Sequence, residues 1–153
     1  MIHNHVLRSV RFLLDVNDVG IANIIELGGR RVAMQDLVTY LAKEGDDEFV
    51  ICPDAVMNAF LDGLVVYRRG KREEPAGRMG DHVVTNNTVL KKLRVAFELR
   101  EDDVLAIMDG SEMRVSKHEL RALFRAPGHP NYRPCGDQFL RNFLRALTAR
   151  LRA

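Results

Sequence analysis

One pattern of residues occurs twice in this sequence, with the two copies 83 positions apart. Residues 4–64 align with residues 87–147 without a gap. The identical positions include the pairs Asn4/Asn87, Arg11/Arg94, Leu37/Leu120, Cys52/Cys135, Asp54/Asp137 and Phe60/Phe143. Many other pairs are apolar in both copies, for example Val10/Leu93, Ile25/Met108 and Met57/Leu140. A self-similarity of this kind indicates duplicated structural units. The chain therefore predicts two homologous modules in tandem.

Each copy predicts four α-helices, and the predicted fold class is all-α. In the second copy, apolar residues follow helical spacing after Asn87, a candidate N-cap. The acidic run 101–103 suits the positive end of a second helix. Ser116 and Glu119 fit a capping box for a third helix. A fourth amphipathic helix is expected from about Gly136 to Leu151.

The first copy follows the same plan with weaker signals. Asn17 is a candidate cap for its second helix, and Gly28-Gly29 is expected to end that helix. Ala33 stands where the second copy has its capping serine. Several valines would also allow a short strand, but the helical interpretation is favoured.

The domain boundaries follow from composition. We expect a first helical repeat over residues 1–67 and a second over residues 86–153. Residues 68–85 between them are charged, contain several glycines and have few apolar residues. This composition predicts a basic, flexible linker.

Several functional classes lack their sequence signals. No apolar run approaches the roughly 20 residues that span a bilayer, and the start does not resemble a secretory signal, so a cytoplasmic protein is expected. No phosphate-binding loop, nucleophile elbow or zinc-protease motif occurs. His118 and His129 do not have metal-ligand spacing. We therefore expect no enzyme activity, no cofactor and no metal.

The two cysteines occupy equivalent positions, each just before the fourth helix of its copy. A thiol at a helix N-terminus can be reactive. Acidic Asp54 and Asp137 follow Cys52 and Cys135, however, and free cysteines are usually small buried residues. Burial is the favoured interpretation. A reactive Cys135 stays open as the alternative.

Three motifs of the second copy resemble a known family. They are Asn-Asn-x-Val-Leu-Lys-Lys-Leu-Arg at 86–94, Val-Ser-Lys-x-Glu-Leu-x-Ala-Leu-Phe-Arg at 115–125, and the long motif that begins Pro-Gly-His-x-Asn-Tyr-Arg at 127 and runs to 144. The chain resembles the YehS-like proteins, a duplicated bacterial family of unknown function. The resemblance implies a small bacterial protein with two similar helical halves, and it implies no activity or cofactor. The first copy departs from the third motif at residues 44–49.

Charge differs between the copies. Residues 1–64 have a net charge of −5, residues 65–86 of +2, and residues 87–153 of +5. The basic part could attract phosphate backbones or an acidic surface. Alternatively the two halves attract each other, within one chain or head-to-tail between chains. The second interpretation is slightly favoured, because aromatic residues are sparse among the basic ones.

The predicted function is therefore non-catalytic binding of a protein partner, in a regulatory or scaffolding role. Nucleic-acid binding by the second repeat is the alternative, since its second and third helices could imitate a helix-turn-helix. The third helix would then expose Lys117, His118, Arg121 and Arg125. A homo-oligomer through acidic–basic contact is a further expectation. The candidate binding residues are Lys117, His118, Arg121, Arg125, His129, Arg133, Arg141, Arg145 and Arg152. The last three belong to a basic face of the fourth helix, for which an ordinary solvated face is the favoured interpretation.

Overall fold

A computed structural model of the protein describes residues 1–70 and 82–152. The chain divides into two compact units, Met1–Val84 and Thr85–Ala153. The helices of the first unit are α1 (His3–Leu14), α2 (Asp18–Leu27), α3 (Met34–Leu41) and α4 (Asp54–Arg69). Those of the second are α5 (Asn86–Ala96), α6 (Glu101–Asp109), α7 (Lys117–Leu123) and α8 (Asp137–Arg152). Within the described ranges there is no strand, so the all-α prediction with four helices in each repeat is confirmed.

The two repeats agree in backbone detail as well as in helix order. Asp15, after α1, has φ 56°, and Glu98, after α5, has φ 54°. These residues are 83 positions apart, and a left-handed conformation is uncommon for residues other than glycine. The cores also correspond, because Phe60 and its counterpart Phe143 are both fully buried. Both repeats therefore bury equivalent positions around equivalent turns.

The helix starts confirm three predictions and correct one. Asn17 Oδ1 accepts a hydrogen bond from the Gly20 amide, and Ser116 forms a capping box with Glu119. α6 begins at Glu101 as predicted. The prediction for Asn87 is wrong, since Thr85 is the N-cap of α5 and Asn87 lies inside the first turn. Asn87 is used instead for contacts far away in the chain.

Asn87 and its counterpart Asn4 tie the first helix of each repeat to the segment before the last helix. Asn4 Nδ2 donates to the Val50 carbonyl at 2.8 Å, and Asn4 Oδ1 accepts from the Cys52 amide at 2.9 Å. In the second repeat, Asn87 Nδ2 donates to the carbonyls of Leu123 and Arg133, both at 2.9 Å, and Asn87 Oδ1 accepts from the Cys135 amide at 2.8 Å. We call this arrangement the asparagine clamp. It satisfies backbone groups of the irregular segment before the last helix and, in the second repeat, also the carbonyl of the last residue of α7.

In the first repeat, helices α2 and α4 approach so closely that their backbones touch. A Cβ atom on Gly63 would overlap the carbonyl of Ile24 and lie 2.9 Å from the Gly28 nitrogen. A Cβ atom on Gly28 would in turn overlap the carbonyl of Ala59. Gly28 ends α2 as the sequence predicted, but its contact with α4 is an additional reason for glycine at this position.

The end of the first repeat differs slightly from the predicted boundary. α4 continues through Arg69, two residues into the range predicted for the linker. Residues 71–81 lie outside the described residues, so the predicted flexibility of the linker stays a prediction. After this gap, the His82 carbonyl accepts from Asn58 Nδ2 at 2.7 Å, and the Val84 amide donates to Asp54 at 3.3 Å.

Among the described residues, no helix has the length and apolar character needed to cross a membrane.

Candidate functional site

A groove on the second repeat combines three arginines with an apolar floor. Its volume is about 320 Å³. Helices α5, α6 and α7 and the residues after α7 supply its lining, which consists of Arg94, Glu101, Leu120, Arg121, Phe124 and Arg125. We call this site the arginine groove.

Glu101 and Arg121 form the main ion pair of the arginine groove. Arg121 Nε and Nη2 each donate to one carboxylate oxygen of Glu101, both at 3.1 Å. The hydrogen bonds from Arg121 lower the pKa of Glu101, and the positive charges of Arg121, Lys117 and Arg94 lower it further. Two parallel bonds of this kind are the geometry in which arginine recognises a carboxylate. The groove therefore already holds one carboxylate, in a strongly positive environment.

Arg94 is held against the aromatic floor of the arginine groove. Its guanidinium carbon lies 4.6 Å from the centre of the Phe124 ring, a cation–π distance. Its Nε also donates to the Leu99 carbonyl at 3.0 Å. No carboxylate oxygen comes within ion-pair distance of Arg94 in the described part of the chain, so its charge stays available to a ligand.

Arg125 and His129 meet at one end of the arginine groove. Arg125 Nη1 lies 3.3 Å from His129 Nε2, and His129 Nδ1 accepts from the Asn131 amide at 3.0 Å. Neither contact involves a carboxylate, and Arg125 forms no ion pair with an acidic residue of the described ranges. Its charge is therefore not neutralised by a bonded acid.

The first repeat lacks three of the side chains that line the arginine groove of the second. Val38, Leu41 and Ala42 stand where the second repeat has Arg121, Phe124 and Arg125. In the first repeat Asp18, the counterpart of Glu101, pairs directly with Arg11 at 2.6 Å. In the second repeat Glu101 instead accepts hydrogen bonds from Arg121 of α7. Arg94 stacks on the Phe124 ring.

The structure brings together four of the predicted binding residues. Arg121 and Arg125 line the arginine groove, Lys117 acts on Glu101 through its charge, and His129 contacts Arg125. The expectation that Arg125 lies on the third helix is corrected, because α7 ends at Leu123. The other predicted residues are at least partly accessible but do not line the groove: His118, Arg133, Arg141, Arg145 and Arg152.

Sequence reasoning missed Arg94 and Phe124 as part of a site, and it treated Glu101 only as a helix-start residue. A signal for Arg94 and Glu101 was present in the repeat alignment. Each repeat has an arginine followed seven residues later by an acid, at Arg11/Asp18 and at Arg94/Glu101. No comparable signal existed for Phe124, because its counterpart Leu41 is an ordinary core residue.

Both cysteines are buried, as the sequence favoured. Cys52 is 1% exposed and Cys135 is 6% exposed. Burial, followed by the charge of the neighbouring aspartate, raises the pKa of Cys52 to about 12 and that of Cys135 to about 11. Both side chains therefore stay protonated near neutral pH, where a nucleophilic cysteine would be a thiolate.

We expect both thiols to react slowly with an aromatic disulfide reagent at pH 8. Because their pKa values are raised, the thiolate fraction at pH 8 is below that of a free cysteine, whose pKa is about 8.5. The measurement is the labelling rate of the folded chain compared with that of glutathione and of the urea-unfolded chain. Labelling of Cys135 as fast as glutathione would contradict the assignment of a buried, unreactive thiol.

No group of three or more His, Cys, Asp or Glu residues that could hold a metal ion occurs in residues 1–70 and 82–152. The groups that remain for recognition are the cations and the aromatic ring of the arginine groove. They can bind an anion and an apolar group side by side.

Comparison with known proteins agrees with the duplication. The family described as "Protein of unknown function (DUF1456)" matches the chain twice, over residues 3–70 and 86–153. The "Uncharacterized protein YehS" of Escherichia coli (strain K12) is 45% identical over 150 residues, which cover 98% of this chain and 96% of that protein. No solved structure matches the chain. Since both halves match one family and the relative matches nearly end to end, the chain belongs to the DUF1456 family.

Proposed function

We propose that this chain is a non-catalytic binding protein whose second repeat recognises acidic segments of a protein partner through the arginine groove. The observation that carries the proposal is the excess of cations in one groove. Arg94, Arg121, Arg125 and the neighbouring Lys117 surround a single carboxylate, that of Glu101. The cations therefore outnumber the carboxylate, and further carboxylates could bind beside Glu101.

The floor of the groove favours a protein partner over a free anion. Leu120 is fully buried and Phe124 is half-buried, so the cations stand beside an apolar surface. Interfaces between proteins combine arginine and aromatic residues in this way. A segment with both acidic and apolar side chains would use both parts of the groove.

Nucleic-acid binding is the second candidate, and the basic face of α8 is the observation in its favour. Arg145 is exposed, and Arg141 is half-buried, with its charge contributing to the lowered pKa of Asp137. The arginine groove itself fits a phosphate backbone less well. Its floor contains the apolar side chains of Leu120 and Phe124, which offer no partner to a sugar–phosphate chain.

The non-catalytic part of the proposal is supported by the state of the candidate nucleophiles. Cys52 and Cys135 are buried thiols with raised pKa values. We also propose a cytoplasmic location, where two unpaired cysteines would stay reduced.

The proposal is tested by fluorescence anisotropy with a labelled peptide of alternating glutamate and leucine. The wild-type chain is expected to bind this peptide and to ignore the matching glutamine–leucine peptide. The Arg121→Ala, Arg125→Ala double variant should bind about tenfold more weakly or worse, because it loses two partly exposed ion pairs of about 0.5–1 kcal/mol each. The matched control is Arg145→Ala, which removes an exposed arginine outside the groove and should leave affinity unchanged.

The variant Glu101→Gln is expected to have the opposite effect on peptide affinity in the same assay. The Glu101 carboxylate competes with the peptide for Arg121, so its neutralisation is expected to strengthen peptide binding. Equal binding of both peptides, or equal loss with Arg145→Ala and the groove variant, would refute the proposal. Tighter binding of a labelled single-stranded or duplex oligonucleotide, with loss on Arg141→Glu and Arg145→Glu, would favour the second candidate instead.

A further inference from the structure

The first repeat carries an acidic loop that offers carboxylates of the kind that the cations of the arginine groove would bind. The loop lies between α3 and α4 and is defined here as residues 44–48, Glu-Gly-Asp-Asp-Glu. All five residues are exposed. In the second repeat the aligned positions 127–131 read Pro-Gly-His-Pro-Asn and contain no acid. The acidic loop is therefore specific to the first repeat.

Local hydrogen bonds fix the shape of the acidic loop. Asp46 Oδ2 accepts from the Lys43 amide at 3.1 Å, and the Asp46 amide donates back to the Lys43 carbonyl at 3.0 Å. The Phe49 amide donates to the Asp46 carbonyl at 3.1 Å, while the half-buried Phe49 side chain follows the loop. Gly45 supplies the positive φ of 92° that the turn requires. A loop held in this way loses little conformational entropy on binding.

The two carboxylates at the end of the loop are not neutralised within the first repeat. Asp46 closes the turn, but Asp47 and Glu48 form no hydrogen bond or ion pair with a described residue. Arg8 is a cation that interacts electrostatically with the loop, and its Nη1 donates to the Ala42 carbonyl at 2.7 Å. The acidic residues that act on the charge of Arg8 are Asp46 and Glu44, not the last two acids of the loop.

We propose that the arginine groove of one chain binds the acidic loop of a second copy of the same chain. This inference rests on the proposed function and names its partner. Asp47 and Glu48 supply two carboxylates, while Arg125 and Lys117 are cations of the groove region without a bonded carboxylate. The repeats that would meet have net charges of −5 and +5 over residues 1–64 and 87–153. Opposite charges attract over about 30 Å at an ionic strength of about 0.01 M and over about 10 Å at about 0.1 M.

Each chain has one acidic loop and one arginine groove. Two chains can therefore exchange loops and form two identical contacts around a two-fold axis, which closes the assembly as a dimer. A single contact repeated head-to-tail would instead give open chains of molecules. The closed dimer is the smallest assembly that leaves no loop and no groove unoccupied, and it is the assembly that the experiment tests.

Sedimentation velocity over a concentration series tests the inference. The full-length wild-type chain is expected to be a dimer at low salt, with a dissociation constant that rises about tenfold or more in high salt. A loop variant, Asp47→Lys with Glu48→Lys, and a groove variant, Arg121→Glu with Arg125→Glu, should each sediment as monomers. The matched control Arg145→Glu should still dimerise.

Mixing the two charge-reversed variants is the decisive step, because the reversed loop then faces the reversed groove. An equimolar mixture is expected to recover the dimer, which a folding defect in either variant would prevent. A wild-type chain that is monomeric at all concentrations, or a dimer that both variants leave intact, would overturn the inference. The peptide assay separates the two claims: a monomer that binds the acidic peptide loses only this inference, whereas a chain that fails both assays loses the proposed function as well.

Discussion

Replacement of Gly63 by alanine is expected to destabilise the first repeat by about 3 kcal/mol. In an exposed helix interior the same change would stabilise by about 1 kcal/mol, because alanine is the better helix former. At Gly63 the new methyl group overlaps the backbone carbonyl of Ile24 and approaches the Gly28 nitrogen. Neither backbone atom can rotate away, so α2 and α4 must separate. Overpacking of this kind costs about 1–3 kcal/mol, and a backbone overlap lies at the upper end.

Urea denaturation combined with amide hydrogen exchange measures this effect repeat by repeat. Exchange should become faster in α2 and α4 and stay unchanged in the second repeat. The matched control is Gly136→Ala, since a Cβ atom there meets nothing within 4 Å and φ is not in the left-handed range. A Gly63→Ala protein as stable as the wild type would show that the two helices do not touch as described. In the second repeat the position equivalent to Gly63 is Ala146, so a methyl group is accepted in that repeat.

Loss of the asparagine clamp is expected to have an effect of similar size. Asn4 is fully buried. Asn4→Ala leaves the Val50 carbonyl without its side-chain donor and the Cys52 amide without its side-chain acceptor. An unsatisfied buried polar group costs about 1–3 kcal/mol, so we expect a loss of about 3 kcal/mol from the first repeat. Asn87→Ala should cost the second repeat about 2 kcal/mol, because Asn87 is only half-buried and water can replace part of the lost bonding.

The same hydrogen-exchange experiment reads out the clamp variants. Each substitution should weaken its own repeat and leave the other unchanged, which distinguishes a local clamp from a general effect. Asn23→Ala is the control, as it removes an exposed asparagine from the middle of α2. If Asn4→Ala cost no more than Asn23→Ala, the clamp would have no energetic role.

Much of the fold could be predicted from the sequence because its signals are local. Helical spacing, the capping serine Ser116 and the acidic start of α6 each act within a few residues, and the alignment of the repeats reinforced them. The wrong prediction for Asn87 shows that local signals do not identify contacts between distant residues. An asparagine near a helix start resembles an N-cap, but its true partners lie 36 to 48 residues away.

The candidate site was predictable in part for the same reason. The cations of α7 stood out in the sequence because Lys117 and Arg121 lie on one short helix. Arg94 comes from α5 and Phe124 follows α7, so only the packing of helices brings them together. The contact between Gly28 and α4 could not be predicted from the sequence either. The end of α2 is a sufficient reason for glycine at this position, and only the folded structure shows that α4 packs against it.

The central claim is that recognition of acidic segments belongs to the arginine groove of the second repeat alone. Amide chemical-shift mapping of the isotope-labelled chain during titration with the glutamate–leucine peptide tests this claim most directly. Our account predicts saturable shifts around Arg94, Glu101 and residues 117–129, and none around Arg11, Asp18 and residues 34–42. Residues 44–48 of the acidic loop are expected to shift only as the peptide displaces that loop from the groove of a second copy. Shifts centred on the first repeat or on α8, or no shifts at all, would contradict it.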